Sequence, residues 1–286
     1  MKELVAAIAA TMLTARVALP ADPSAKRIVY SVPGMDRVRV ERDITYRAAD
    51  GVETRMDVYR PPDLGPAERR PVVFFVHGGP IAPDRRPKDS GGYRSYGELV
   101  AASGFVGVTF NHRLFSAGDL DRSAEEVAAA VEFVRSNAAR FNADPARTAV
   151  WAFSGGGLLL AFAFRDRPAH VRAVVSYYAI LDLRGTRDAA GNPMSDEMAR
   201  RFSPAYAVES GTGPFPAVLI GRAGGDDPGI NASVETFVRA AWAKGISIDV
   251  LNHPAGQHGF DISNDDDRTR EVIRRTLEFL QERLKP

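Results

Sequence analysis

Residues 149–158 read AVWAFSGGGL. An apolar run stops at Ser154, three glycines follow, and the chain then turns apolar again. With Thr148 in front, TAVWAF (148–153) reads as a short strand covered on both faces, as strands of parallel sheets are. A side chain at position 154 then stands on a sharp strand-to-helix turn at the carboxyl edge of the sheet. The backbone there folds tightly and the helix passes close to the strand, so the neighbours must be small. Ala152, Gly155 and Gly156 supply them.

The segments on either side repeat the pattern. VVFFV (72–76), FVGVTF (105–110), AVVSYY (173–178), AVLIG (217–221) and IDVLN (248–252) are short and mostly apolar. Before them, VRVERDITYRA (38–48) and TRMDVYRP (54–61) alternate polar and apolar residues, as strands with one wet face do, with Asp50-Gly51 between them as a hairpin turn. Helical patterns separate most of the apolar strands. They cover 122–141, 158–166, 233–245 with a glycine stop, and 267–284 with a stripe of Val272, Ile273, Leu277, Leu280 and Leu284. Strand and helix in alternation predict an α/β domain with a parallel core and helices on both faces. The stretch 181–216, rich in Gly and Pro and weakly helical, interrupts the rhythm and reads as a small cap insertion.

Composition narrows the function. The 286 residues carry 37 basic and 36 acidic side chains, a net charge of +1, which gives no field to gather nucleic acid or an anionic membrane. Cysteine is absent, which excludes disulfides, thiolate metal sites and a Cys nucleophile. His253 and His258 stand five apart without a third ligand at a recognisable spacing, so no metal is expected, and no cofactor. Residues 1–36 read as an N-terminal extension and 37–286 as the domain. The apolar stretch from Leu4 to Leu13 fits either an amphipathic helix or a weak signal segment ending near residue 21, with Glu3 and Arg16 against the signal. The expectation is a cytoplasmic protein, or an exported one if that segment is a signal. The oligomeric state is open, a homodimer included.

Ser154 in the Ala152-x-Ser-x-Gly156 setting approximates the nucleophile elbow, with Ala152 in place of its first glycine. A phosphate-cradling reading lacks both Gly-Lys-Ser/Thr and Gly-x-Gly-x-x-Gly. A serine hydroxyl needs a base, and the base an acid that holds its tautomer. His258, between the last strand and the last helix, lies at the same sheet edge with Gly256 and Gly259 beside it. His253, His77 and His112 follow strands and read as structural, and His170 as exposed. Asp226 is the preferred acid, being nearer its strand than Asp227. Asp227 is an alternative that could equally start a turn, and Asp182 is a third. The His77-Gly78-Gly79 run after a central strand places glycine amides where, with that of Gly155, they could meet a developing oxyanion. Tyr93, Tyr96, Phe115 and Met198, with Met194 and Phe202, are candidate pocket residues, and the segment 81–97 a candidate wall.

The runs HGGP, AFSGGG, AGGDD and GQHGF, in this order, resemble those of the α/β-hydrolases, in particular the carboxylesterases and dienelactone-hydrolase-like proteins. The similarity extends from about Arg37 to the C-terminus. It implies an eight-stranded, mostly parallel sheet, with Ser154 as nucleophile, His258 as base and an Asp at 226. Two departures stand out: Ala152 at the elbow, and a serine where dienelactone hydrolases carry cysteine. HGGP also occurs in prolyl-oligopeptidase-like peptidases, for whose propeller domain 286 residues leave no room. The expected activity is hydrolysis of small to medium carboxylic esters through an acyl-enzyme, with a small-molecule substrate as the partner. The alternatives are a peptidase or amidase with the same triad, and a non-catalytic binding protein on the same scaffold.

Overall fold

The computed structural model describes residues 25–49, 51–186 and 193–286. The reading of residues 1–21 as helix or signal therefore lies outside the described residues, as does Asp50 of the hairpin turn.

Eight strands form one sheet: β1 (Arg39–Ala49), β2 (Val52–Arg60), β3 (Arg70–Val76), β4 (Val106–Phe110), β5 (Ala143–Phe153), β6 (Val171–Tyr177), β7 (Ala217–Ala223) and β8 (Ile248–His253). Their order is β1-β2-β4-β3-β5-β6-β7-β8. The β1–β2 and β2–β4 pairs are antiparallel and the rest parallel. This is the α/β-hydrolase architecture. The alternation of side chains along each strand builds a core on both faces. Phe74 and Val76 of β3, with Val150 and Ala152 of β5, join one apolar cluster, and Val73, Phe75, Ala149, Trp151 and Phe153 join the other.

Helices α1 (Gly91–Ala102) and α2 (Leu120–Ser136) lie on opposite faces: Leu99 and Val100 enter one cluster, Val127, Val131 and Val134 the other. The connection from β3 thus leads to one neighbour, β4, over one face, and the connection from β4 returns to β5 on the other side of β3. Such a switch point opens a crevice at the carboxyl ends of the strands. The predicted helix over 122–141 is divided at Asn137 into α2 and α3 (Ala138–Phe141). The stretch predicted as a helix over 158–166 is a 3₁₀ turn from Ser154 to Leu160 that leads into α4 (Ala161–Arg165). Helix α1 has no counterpart in the sequence reading, because Gly91-Gly92 at its start look like a breaker; Ser90, whose Oγ accepts from the Tyr93 amide, caps it instead.

Part of the expected cap belongs to the core. Helices α5 (Asp196–Phe202) and α6 (Pro204–Ser210) bury Phe202, Ala205 and Val208 in the same cluster as α7 (Pro228–Ala243). The helices α8 (Phe260–Ser263) and α9 (Asp267–Arg283) close the chain, and the whole predicted stripe of α9 is buried. Among the described residues no helix is long and apolar enough to cross a membrane.

The segment between β3 and α1 is tied down by an ion cluster that the sequence does not announce. The Lys88 side chain is 2% exposed, and its Nζ donates to Asp43 (2.7 Å), Asp57 (3.0 Å) and Asp89 (2.8 Å). Removing one partner of a buried pair leaves an uncompensated charge, which is worse than never having had the pair. Lys88→Ala, which leaves the Arg42 guanidinium at 3.3 Å as the remaining cationic partner of the fully buried Asp57, is expected to lower the unfolding free energy by about 3 kcal/mol in urea titrations, the low end for a broken buried pair. Asp43→Asn, at a carboxylate 59% exposed, is expected to cost less than a third of that.

Candidate active site

Ser154 follows β5 directly as the first residue of the 3₁₀ turn, with φ +52°, in the left-handed region that non-glycine residues rarely occupy. The three glycines after it have a single explanation, close approach of backbone. A Cβ on Gly155 would stand 2.3 Å from the Gly79 carbonyl oxygen, one on Gly156 2.4 Å from that of His77, and one on Gly157 2.5 Å from that of Ile180. Gly78 is constrained from the opposite direction, since a Cβ there would meet Ser154 Cβ at 2.8 Å. Ala152 is fully buried within β5, so its methyl is accommodated without opening the turn.

The loops after β7 and β8 bring two further groups to Ser154. His258 Nε2 lies 2.9 Å from Ser154 Oγ, and His258 Nδ1 lies 2.8 Å from Asp226 Oδ2. The Asp226 side chain is 4% exposed while the His258 ring is 43% exposed. The second oxygen of Asp226 accepts from the Asp227 amide at 2.7 Å. Asp227 is occupied elsewhere: its carboxylate caps α7, accepting from the Gly229 and Ile230 amides. Asp182 is held by Arg184 through both carboxylate oxygens. Of the three candidate acids, the structure thus brings only Asp226 to the imidazole.

The other histidines are accounted for. His77 Nδ1–H donates to Gly78 O at 2.7 Å, and its Nε2 accepts from the His112 amide at 3.2 Å. His112 Nε2–H donates to His77 O at 3.2 Å, and the two rings stack 3.5 Å apart. This reciprocal pair clamps the ends of β3 and β4 together directly behind Gly78-Gly79. Burial pushes the His77 imidazole down to about 4 and His112 lower than its ordinary value as well, so both are neutral near pH 7. His253 is buried against Asp266 and Thr269. His170 is half-buried rather than exposed.

Gly79 and Gly155 open onto an apolar cavity of about 700 Å³, as bounded by the described residues. Its walls include Leu114, Phe115, Leu158, Ile180, Leu183 and Met194, and none of the described residues that line it is charged. Among the described residues, the Gly79 amide donates no hydrogen bond.

Of the predicted pocket residues, Phe115 and Met194 line this cavity. Tyr96 does not: it is 1% exposed, packed between Phe75 and Trp151, with its hydroxyl on Asp261. Tyr93 packs edge-on to Phe153, Phe202 is buried, and Met198 rests on the core, all away from the cavity wall. The segment 81–97 lines a separate polar cleft of about 440 Å³ that shares Phe115 with the apolar cavity. Leu114, Leu158, Ile180 and Leu183 were missed, since nothing in an apolar residue's sequence setting separates a pocket wall from packing.

Residues 56–208 match the family model BD-FAE. Among curated proteins, the chain is 33% identical to gut esterase 1 of Caenorhabditis elegans over 99 residues, covering 32% of this chain and 17% of that protein. It is 26% identical to esterase LipQ of Mycobacterium tuberculosis over 267 residues, 83% of this chain and 61% of that one. It is also 29% identical over 120 residues to a probable dipeptidyl-aminopeptidase B of Blastomyces gilchristii, 38% of this chain and 13% of the relative. The chain thus spans less than a fifth of the length of two of these relatives and about three fifths of the third. Among solved structures, the apo form of Thermogutta terrifontis esterase 2 superposes with a TM-score of 0.69 at 21% identity, covering 89% of this chain and 98% of that one. The propionate-bound form of that esterase superposes with a TM-score of 0.70, covering the same shares.

The buried His pair makes stability depend on pH. Its folded midpoints lie below the unfolded value of about 6.5, so the unfolded chain binds more protons in between, and stability present above pH 6.5 is lost as pH falls toward 4. His77 alone is expected to cost about 3 kcal/mol over that window, read as a fall in the urea midpoint between pH 7 and pH 4. His77→Gln should flatten the dependence.

Proposed function

The chain belongs to the BD-FAE family, of α/β-hydrolase type, and from that premise we propose that it is a serine esterase acting through an acyl-enzyme. The observation that carries this reading is the continuous chain of contacts from Ser154 Oγ to His258 Nε2 (2.9 Å) and from His258 Nδ1 to Asp226 Oδ2 (2.8 Å). The family match ends at residue 208, before Asp226 and His258, so this geometry is independent support for the site.

Ser154 attacks the ester carbonyl as His258 takes its proton at Nε2. Asp226, shielded and hydrogen-bonded at both oxygens, keeps the Nδ1–H tautomer and stabilises the imidazolium that forms. The amides of Gly79 and Gly155 receive the negative charge on the carbonyl oxygen, and Gly78 leaves the nucleophile's Cβ unobstructed. His258 then protonates the departing alcohol, and water, deprotonated by the same imidazole, releases the acid. The apolar cavity beside the two amides takes the acyl group. Its volume lies in the ordinary range for small-molecule sites, which suits short and medium chains.

The similarity to dipeptidyl-aminopeptidase B favours amide cleavage as a second reading, with the same catalytic groups.

With p-nitrophenyl esters, Ser154→Ala is expected to lower kcat by on the order of 10⁴ or more. Turnover equal to that of the unaltered protein would remove the nucleophile. Asp226→Asn is expected to lower kcat by on the order of 10³–10⁴, and Asp227→Asn less than tenfold, since Asp227 only caps α7. Across acyl lengths, butyrate and octanoate esters should be cleaved faster than palmitate. Dipeptidyl p-nitroanilides, cleaved faster than any of these esters, would establish the second reading. Failure of a fluorophosphonate probe to label Ser154 would leave a binding protein.

A further inference from the structure

We propose that Tyr178 is a positioning residue for the His258 base, anchored by its hydroxyl on the buried carboxyl group of Asp261; this rests on the reading of His258 as the base. His258 stands on a loop and nearly half of its side chain is exposed, so its two hydrogen bonds alone leave one face of the ring unsupported. The Tyr178 ring supplies that support, with the two ring centroids 4.8 Å apart.

Tyr178 reaches this place at a conformational cost. Its φ is +38°, a genuine outlier for a bulky side chain, of the kind that persists only where the surroundings over-determine it. The surroundings here do so. The Tyr178 amide donates to Gly221 O of β7 at 3.0 Å, its hydroxyl donates to Asp261 Oδ1 at 2.7 Å, and its ring stands edge-on to Phe260. Two residues on, the Ile180 amide donates to Ser154 O at 3.0 Å. One short segment therefore touches the backbone of the nucleophile and the ring of the base.

Asp261 is the unusual member. It is fully buried three residues beyond His258 and forms no ion pair among the described residues. Its two oxygens accept from the phenols of Tyr178 and Tyr96, each at 2.7 Å. Burial pushes its carboxyl group above the usual carboxylate range, against the two hydroxyl donors. A buried carboxyl group without a cation is a poor way to stabilise a core, since an apolar side chain would avoid its desolvation. Here it joins α1, the end of β6 and the His258 loop at a single point, and it holds the Tyr178 hydroxyl so that the ring packs against the imidazole at an interplanar angle of 56°.

The test uses Tyr178→Phe, which keeps the ring and removes the anchor, Tyr178→Leu, which removes both, and Asp261→Asn. Two quantities are read on variants whose amide spectra remain folded: kcat and KM on a p-nitrophenyl ester, and the proton resonance of His258 Nδ1–H in histidine-labelled protein. The expected result is a fall in kcat on the order of 10- to 100-fold with KM within about twofold, and a broadened or lost resonance, largest for Tyr178→Leu. An unchanged resonance and unchanged kcat in Tyr178→Phe and Tyr178→Leu, with only the melting temperature lowered, would overturn the proposal. The resonance is read without turnover. A protein inactive on esters whose resonance still depends on Tyr178 would retain the positioning role and remove the esterase reading.

Discussion

Ser154 is held in a left-handed backbone conformation with no space behind the turn, and the rest of the site is arranged around that constraint. The carbonyls of His77, Gly79 and Ile180 close on the three following glycines so tightly that a single methyl on any of them would collide with backbone. Backbone cannot yield as a flexible side chain can, so the close approach fixes the distance between the serine and the loops after β3 and β6. Those two loops carry the Gly79 amide and Tyr178. The tightness at the serine therefore also sets where the Gly79 amide and the Tyr178 ring stand relative to its hydroxyl.

Residues of one type take different parts because their surroundings differ. His77 and His112 are buried, paired through backbone groups and kept neutral, and they brace the HGG loop from behind. His258 stands at the rim, open on one side, with a shielded carboxylate at one nitrogen and a hydroxyl at the other. Asp226 and Asp227 are neighbours in sequence, yet one turns inward to the imidazole while the other spends its oxygens on the first turn of α7. The division follows from the chain's course: the helix that starts at Pro228 needs a cap at position 227, which leaves position 226 to face the strand ends.

The strands were legible because parallel, doubly covered strands leave short apolar runs, and each of the eight observed strands overlaps one of the eight predicted segments. The antiparallel start of the sheet was legible from alternation in β1 and β2. Helix α1 was not, because two glycines mask a start that depends on the Ser90 cap. The helices α5 and α6 were not, because short helices gain their stability from burying residues such as Phe202 and Val208 against distant elements. Ser154 was legible from the small residues of its turn, His258 from its glycine-flanked loop at the sheet edge and Asp226 from its nearness to a strand end, and their order along the chain added weight. The pocket was poorly legible: Tyr96 is aromatic and lies in the segment expected as a wall, but that segment borders a different cleft and α1 turns Tyr96 into the core, whereas Leu158 and Ile180 look like packing residues and form the wall.

What the amino-acid order determined by itself is local: strand length and coverage, the small residues an elbow demands, and the sequence in which serine, aspartate and histidine emerge at one edge. What only the tertiary structure decided is mutual orientation. Whether Asp226 or Asp227 faces the imidazole, whether Tyr96 meets solvent or Asp261, and whether Lys88 is a surface charge or the centre of three carboxylates depend on groups far apart in the chain. Direction, burial and hydrogen-bond partnership arise only when the sheet brings those groups together, because each is a property of the space between elements and of no single segment.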